Sequence, residues 1–175
     1  MPLKPQDALV LLKMAAHPGR RFAQAELARE LGMSLSEVNQ SLARSATARL
    51  ASKGGQRGWQ PILPALEEFL VHGLRYAFPA MAGEIVRGMP TAWAAPPLES
   101  EFASNPEDPP PVWPDPDGSV RGQAVDPLYR SVPKAARQDP ILYELLALVD
   151  AVRIGRARER QSAVRHLRAR IGPGD

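Results

Sequence analysis

Apolar residues recur at helical spacing in three segments at the start of the chain, and each segment has recognisable ends. The first extends from Pro5 to Ala16. The second extends from Ala25 to Leu31, and Gly32 follows it in the position that a left-handed residue takes at the end of a helix. The third follows Ser34, which stands three residues before Glu37 in the spacing of a capping box. The pattern therefore predicts three helices, of which the third ends near residue 48.

A glycine-rich, basic segment follows the third predicted helix. Residues 50–60 contain Lys53 and Arg57 among three glycines, a composition that favours a hairpin turn. Apolar positions return to helical spacing from Leu63 to Phe78, and residues 21–22 favour a short extended segment between the first two helices. This order of elements is that of a winged helix-turn-helix, so we expect such a domain over residues 1–76.

Prolines divide the remainder of the chain. Twelve of the 19 prolines lie between Pro79 and Pro133, which predicts an extended, proline-rich segment over residues 77–138, with short strands near residues 84–87 and 119–125. Asp139-Pro140 predicts the start of a C-terminal helical tail, residues 139–175, with a second helix from about Arg156 to Ile171. The expected fold class is mainly α with small β: a winged helix-turn-helix domain followed by an extended proline-rich segment and C-terminal helices.

The two C-terminal helices differ in character. The first has an apolar seam that suits either dimerisation or core packing within one chain. Near the second, seven arginines lie between Arg153 and Arg170, and only Glu159 opposes them. We expect a solvated helix there, and a grip on DNA backbone or on an acidic partner is the alternative. The seam of the first helix consists of Leu142, Leu145, Leu146, Val149 and Val152.

Charge is unevenly distributed along the chain. The net charge is +3, but residues 1–76 carry +4, residues 77–138 carry −3 and residues 139–175 carry +2. A basic N-terminal region is compatible with binding to phosphate backbones. The chain has no cysteine, which excludes disulfides and thiolate metal sites. Its charged start does not resemble a signal peptide, and no apolar run approaches the roughly 18 residues of a membrane helix. We therefore expect a cytoplasmic protein with no membrane partner.

The second and third predicted helices carry a resemblance to known regulators. Residues 25–34 read AELARELGMS and residues 36–42 read SEVNQSL. Together they resemble the ELA..LG.S..EV...L pattern of bacterial winged-helix transcriptional regulators, the MarR-type regulators among them. The resemblance covers about residues 5–76 and implies a winged-helix fold that binds double-stranded DNA. Residues 77–175 resemble no family in this way.

Helical rotation assigns two faces to the third predicted helix. Val38, Ser41, Leu42 and Ser45 share one face, which we expect to pack on the second helix. The opposite face presents small and amide side chains, with Asn39 and Arg44 at its flanks, and these groups pair with adenine and guanine edges in the major groove. Ser34, at the helix N-terminus, and the two hairpin cations are placed to meet phosphates. The predicted DNA contacts are Ser34, Ser36, Asn39, Gln40, Ala43, Arg44, Thr47, Lys53 and Arg57.

These observations favour a sequence-specific transcriptional regulator, acting as a homodimer on a roughly palindromic operator with one recognition helix per half-site. The alternative is a protein-interaction or antitoxin-like regulatory partner. It would bind another protein, encoded nearby, through the proline-rich middle or the Arg-rich tail. The sequence does not decide between DNA binding and protein binding, and one chain could do both.

Other patterns predict no chemistry. Residues 115–118 read DPDG but lack the spaced acidic ligands of a calcium loop, so we expect a turn there. The three histidines have no metal-ligand spacing, and no phosphate-binding glycine loop or nucleophile motif is present. We therefore expect no enzyme activity, no cofactor and no metal. Trp59, Trp93 and Trp113 are expected to pin extended proline-rich segments to the body of the protein, and lining a ligand pocket is the alternative.

Overall fold

Three helices begin the fold. The computed structural model describes residues 1–172, and these helices are α1 (Pro5–Ala16), α2 (Gln24–Leu31) and α3 (Leu35–Thr47). Gly32 ends α2 with a left-handed backbone, φ 64°. The predicted capping box is formed at the start of α3. The Glu37 amide donates to Ser34 Oγ at 3.1 Å, and the Ser34 amide donates to Glu37 Oε2 at 2.8 Å. All three predicted helices are confirmed.

The predicted hairpin follows α3. It consists of β1 (Ala51–Lys53) and β2 (Trp59–Pro61), which pair in antiparallel fashion. Residues 20–23 have no regular structure, so the extended segment expected at residues 21–22 does not add a strand to this pair. The hairpin therefore has two strands within residues 1–172.

The fourth predicted helix, expected from Leu63 to Phe78, is interrupted by a wider turn. It is formed by α4 (Leu63–Glu68), a π-helical turn (Phe69–Gly73) and α5 (Leu74–Ala77). The Leu74 amide donates to the Phe69 carbonyl, five residues earlier, as a π-helical turn requires. One extra residue is accommodated in this turn, and it changes which side chains the helix presents on either side of it.

The proline-rich middle is folded onto the body of the protein. It contains β3 (Ala82–Pro90), β4 (Pro111–Pro114), β5 (Val120–Val125) and the short helix α6 (Val132–Gln138). β3 pairs in antiparallel fashion with both other strands, and β4 and β5 are parallel, so the three strands close on one another. A Cβ at Gly88 would collide with the Trp113 carbonyl, so only glycine allows this close approach. The two predicted strands are confirmed, whereas β4 and α6 were not predicted.

The C-terminal helices are α7 (Pro140–Ile154) and α8 (Ala157–Ile171). Asp139 caps α7 by accepting the Leu142 amide at 3.1 Å. The apolar seam of α7 is at most 1% exposed, and α7 packs against α1, α5, α6 and α8. Core packing within one chain thus accounts for the seam, and the prediction that the seam forms a dimer interface is wrong. The sequence also predicts that Gly172-Pro173 closes the last helix; Gly172 follows α8, and Pro173 lies outside the described residues.

One hydrophobic core runs through the whole fold. It includes residues from α1, α2, α3, α7 and α8 together with Trp113 of β4, so the three predicted regions share a single interior. Trp59 and Trp93 pack against this core, which confirms the packing role expected for the tryptophans. Helix accounts for about 55% of the residues and strand for about 15%, so the chain has a small mixed α/β fold in which helix predominates. Within residues 1–172, no helix combines the length and the apolar character needed to cross a bilayer.

A buried polar network joins the strands to α7. Asp150 is 1% exposed and accepts hydrogen bonds from Thr91 Oγ1 at 2.7 Å, Trp113 Nε1 at 2.6 Å and Arg153 Nη1 at 2.9 Å. Burial raises the pKa of the Asp150 carboxyl, although these donors and the Arg153 charge oppose that rise. The network fixes the position of the strands on the helical body.

Candidate nucleic-acid interface

The inward face of α3 lies as the helical rotation predicted. Val38, Ser41, Leu42 and Ser45 are fully buried, and α3 packs against α1 and α2. On the opposite face four polar residues are exposed, and Ala43, which lies among them, is half-buried. We call these five residues the polar stripe. The stripe carries no formal charge. It consists of Ser36, Asn39, Gln40, Ala43 and Thr47.

Two local hydrogen bonds order the stripe. Gln40 Nε2 donates to Ser36 Oγ at 3.2 Å, and Thr47 Oγ1 donates to the Ala43 carbonyl at 3.1 Å. The Asn39 amide forms no side-chain hydrogen bond within residues 1–172. The Asn39 amide is therefore free to donate and accept hydrogen bonds to a ligand. The Gln40 amide, which donates only to a hydroxyl, can do so as well.

Arg44 does not belong to this surface, and the prediction that it reads a guanine is wrong. Its side chain is buried, with 3% of the residue exposed. Its Nε donates to Asp7 Oδ2 at 2.8 Å and its Nη2 donates to Asp7 Oδ1 at 2.7 Å. Because α1 packs on α3, the buried Asp7 carboxylate needs a cation, and the flank position of Arg44 supplies it. The hydrogen bonds from Arg44 to Asp7 raise the pKa of the guanidinium.

The N-terminal end of α3 is held by a segment distant in sequence. Tyr129 Oη donates to Glu37 Oε1 at 2.6 Å, and Ser131 Oγ donates to the Leu31 carbonyl at 2.5 Å. The Tyr129 hydrogen bond and the Ser34 amide lower the pKa of Glu37 to about 2, so this residue carries a negative charge at neutral pH. A phosphate contact at this helix end therefore has to overcome a carboxylate. Ser34 is exposed, and its hydroxyl oxygen already accepts the Glu37 amide as the N-terminal cap of α3.

Four exposed cations lie on the hairpin or on the segments that adjoin it. Lys53 and Arg57 were predicted, and both are exposed. Arg49 lies between α3 and β1, with a left-handed backbone (φ 60°). Arg21 was missed because it precedes α2, yet its Nε lies 3.8 Å from where a Cβ at Gly58 would sit. None of the four forms an ion pair within the described residues, so their charges are available to a polyanion.

The remaining sequence candidates have structural roles. Residues 115–118 form a turn, in which the Gly118 amide donates to the Asp115 carbonyl at 3.0 Å, and Asp115 forms an ion pair with Arg137. Asp139 lies 2.6 Å from both Lys13 Nζ and His17 Nε2, and Lys13 also lies 2.9 Å from Glu30 Oε2. In residues 1–172 no three His, Cys, Asp or Glu side chains are grouped as metal ligands.

Comparison with family models, with curated proteins and with solved structures found no match to this chain. A function for this chain can therefore be inferred only from the chemistry of the site itself.

Proposed function

We propose that this chain is a sequence-specific DNA-binding transcriptional regulator that places α3 in the major groove of duplex DNA. The observation that carries the proposal is the exposed polar stripe on a helix whose other face is core. Folding does not need amide groups at Asn39 and Gln40, and both can form paired hydrogen bonds to adenine. The small residues Ser36 and Ala43 permit close approach to base edges. The helix order and the hairpin support the winged-helix assignment implied by the sequence resemblance.

Because Arg44 is buried, it cannot contact DNA, and this changes the base sequence expected at the binding site. Arginine is the side chain that most often reads guanine, and no other arginine belongs to the polar stripe. The Thr47 methyl and the Ala43 methyl are suited to contact with the thymine methyl group. We therefore expect A·T pairs at the positions contacted by α3.

The cations at the hairpin would supply affinity that does not depend on sequence. The exposed cations Lys53, Arg57, Arg49 and Arg21 would contact phosphates beside the groove that α3 enters. Each phosphate contact contributes about 0.9 to the slope of log K against log salt concentration. The charge supplied by one chain is modest, so the proposal includes two copies on a two-fold site. Because the apolar seam of α7 is buried, these copies must associate through another surface.

Selection from a pool of random duplexes tests this proposal. The full chain should enrich A·T-rich sites, and two half-sites about one helical turn apart are expected. Lys53→Ala with Arg57→Ala should weaken binding to selected and unselected duplexes alike and reduce the salt slope by about 2. The matched control removes two exposed cations elsewhere, Arg87→Ala with Lys134→Ala, and should leave the slope unchanged. Failure to enrich any sequence would refute sequence-specific binding.

A further inference from the structure

A groove separates the π-helical turn and α5 from α8. Its volume is about 650 Å³, within the range of small-molecule sites. We call it the arginine groove. One wall includes Val71, Arg75 and Tyr76. The other wall, on α8, includes Arg160, Val164, Arg165 and Arg168. The proposed DNA interface uses none of these residues.

Positive charge in the arginine groove is only partly neutralised. Arg165 lies 3.3 Å from Glu101 and Arg168 lies 3.1 Å from Glu67, but neither carboxylate lines the groove. Arg75 and Arg160 have no carboxylate within 4.0 Å among residues 1–172. Among the described residues, the Arg160 side chain donates only to the Gly155 carbonyl, at 3.4 Å. Arg75 and Arg160 therefore bring positive charge to the groove that no carboxylate of the described residues offsets, and a bound anion would neutralise it.

The groove also offers apolar and aromatic surface. Val71 and Val164 are half-buried in its walls, and Tyr76 is 75% exposed. The Arg75 guanidinium carbon lies 5.2 Å from the centre of the Tyr76 ring, which orients the cation beside the aromatic face. A tyrosine this exposed contributes little to the core, and a planar ligand that stacks on it would bury apolar area.

We propose that the arginine groove binds a nucleotide, with its phosphates on Arg75 and Arg160 and its base against Tyr76. Guanidinium groups match phosphate oxygens in pairs, and Tyr76 offers the flat surface that a base needs. The groove has the volume of one small ligand, whereas a polymer backbone requires a continuous track. The proposal does not depend on DNA binding, and it would give the chain an effector site.

Calorimetric titration of the full chain with adenosine triphosphate, in parallel with inorganic tripolyphosphate, tests the assignment. The expected result is one nucleotide per chain, bound more tightly than tripolyphosphate. Arg75→Ala with Arg160→Ala should weaken nucleotide binding by about tenfold or more. Arg156→Ala with Arg158→Ala is the matched control, because it removes two exposed charges at the start of α8 outside the groove, and it should bind as the parent does.

The aromatic contact has its own variants. Tyr76→Ala should lower the affinity for the nucleotide and leave that for tripolyphosphate unchanged, whereas Tyr76→Phe should retain both. Arg75→Lys with Arg160→Lys keeps the charge and loses the paired geometry, so its affinity should lie between those of the parent and the alanine variant. A thermal unfolding midpoint for each variant shows that the fold is kept.

Several results would overturn the assignment. Equal weakening in the groove and control variants would mean that diffuse charge attracts the anion. Equal affinity of the parent for nucleotide and tripolyphosphate would remove the role of Tyr76. One-to-one displacement of the nucleotide by a random-sequence duplex would assign the groove to DNA phosphates instead, and no detectable binding at millimolar nucleotide would end the proposal.

Discussion

The buried pair of Asp7 and Arg44 makes a prediction that separates folding from DNA reading. Arg44→Met removes the cation and leaves the apolar length of the side chain in place. Asp7 is 1% exposed and would then be an uncompensated buried carboxylate. Breaking such a pair costs about 3–5 kcal/mol, so we expect the free energy of unfolding to fall by that amount. Urea denaturation followed by circular dichroism measures it.

The matched control is the double variant Asp7→Leu with Arg44→Met, which removes both charges. Loss of the Asp7 cap, which accepts the Lys4 amide at 2.9 Å, costs about 1 kcal/mol. Replacement of a buried ion pair by apolar groups is otherwise close to neutral. We therefore expect the double variant to be more stable than Arg44→Met by about 2 kcal/mol or more, with DNA affinity retained. A stable Arg44→Met variant that loses DNA affinity would refute this account of Arg44.

Three further predictions concern polar contacts elsewhere in the fold. Burial opposes ionisation of Asp139, but hydrogen bonds from its neighbours hold its pKa at about 2. Because this pKa lies below that of a free aspartate, the ionised carboxylate should add about 2 kcal/mol to the free energy of unfolding. This stabilisation should be present above pH 4 and lost as the pH falls toward 2. Acid titration of stability should show a shallower fall in Asp139→Asn than in the parent. Tyr129→Phe should raise the pKa of Glu37 from about 2 toward 4.5, as measured by carboxyl ¹³C chemical shifts; an unchanged value would contradict the assigned cause. Asp150→Ala leaves the Thr91 hydroxyl and the Trp113 indole N–H unpaired and removes the counter-charge of buried Arg153, which keeps its hydrogen bonds to the Phe78 and Asp126 carbonyls. It should lower the free energy of unfolding by about 3 kcal/mol or more in denaturant titration, and a loss below about 1 kcal/mol would mean that water replaces the carboxylate.

Local signals explain why the N-terminal helices could be predicted. The ends of α2 and α3 depend on Gly32 and on the box formed by Ser34 and Glu37, all within a few residues of the helices they limit. The inward face of α3 follows from its own periodicity. The exposed stripe could be predicted for the same reason, since it is what the buried face leaves over.

Contacts between distant segments explain what could not be predicted. Arg44 meets Asp7 across 37 positions, and Glu37 meets Tyr129 across 92 positions, so no spacing rule reveals either pair. β4 is a four-residue strand made almost wholly of Pro and apolar residues, and it exists because β3 and β5 close around it. A weak signal was present in α7, where Asp150 interrupts an apolar run three residues before Arg153.

The α7 seam shows a different limit. A continuous apolar face predicts burial but does not name the surface that covers it. Here the covering surfaces belong to the same chain, from α1, α5, α6 and α8. The arginines of α8 illustrate the converse, because their density was evident in the sequence, but the groove they form with Arg75 and Tyr76 depends on the fold.

Fluorescence anisotropy on a duplex selected by the protein tests the central claim most directly. Asn39→Ala with Gln40→Ala should weaken binding to that duplex by about tenfold to a hundredfold and leave binding to an unselected duplex unchanged. Asn105→Ala with Gln138→Ala removes two exposed amides that belong neither to α3 nor to the hairpin and should bind both duplexes as the parent does. Unaltered affinity of the α3 variant for the selected duplex would contradict the claim that this helix reads DNA.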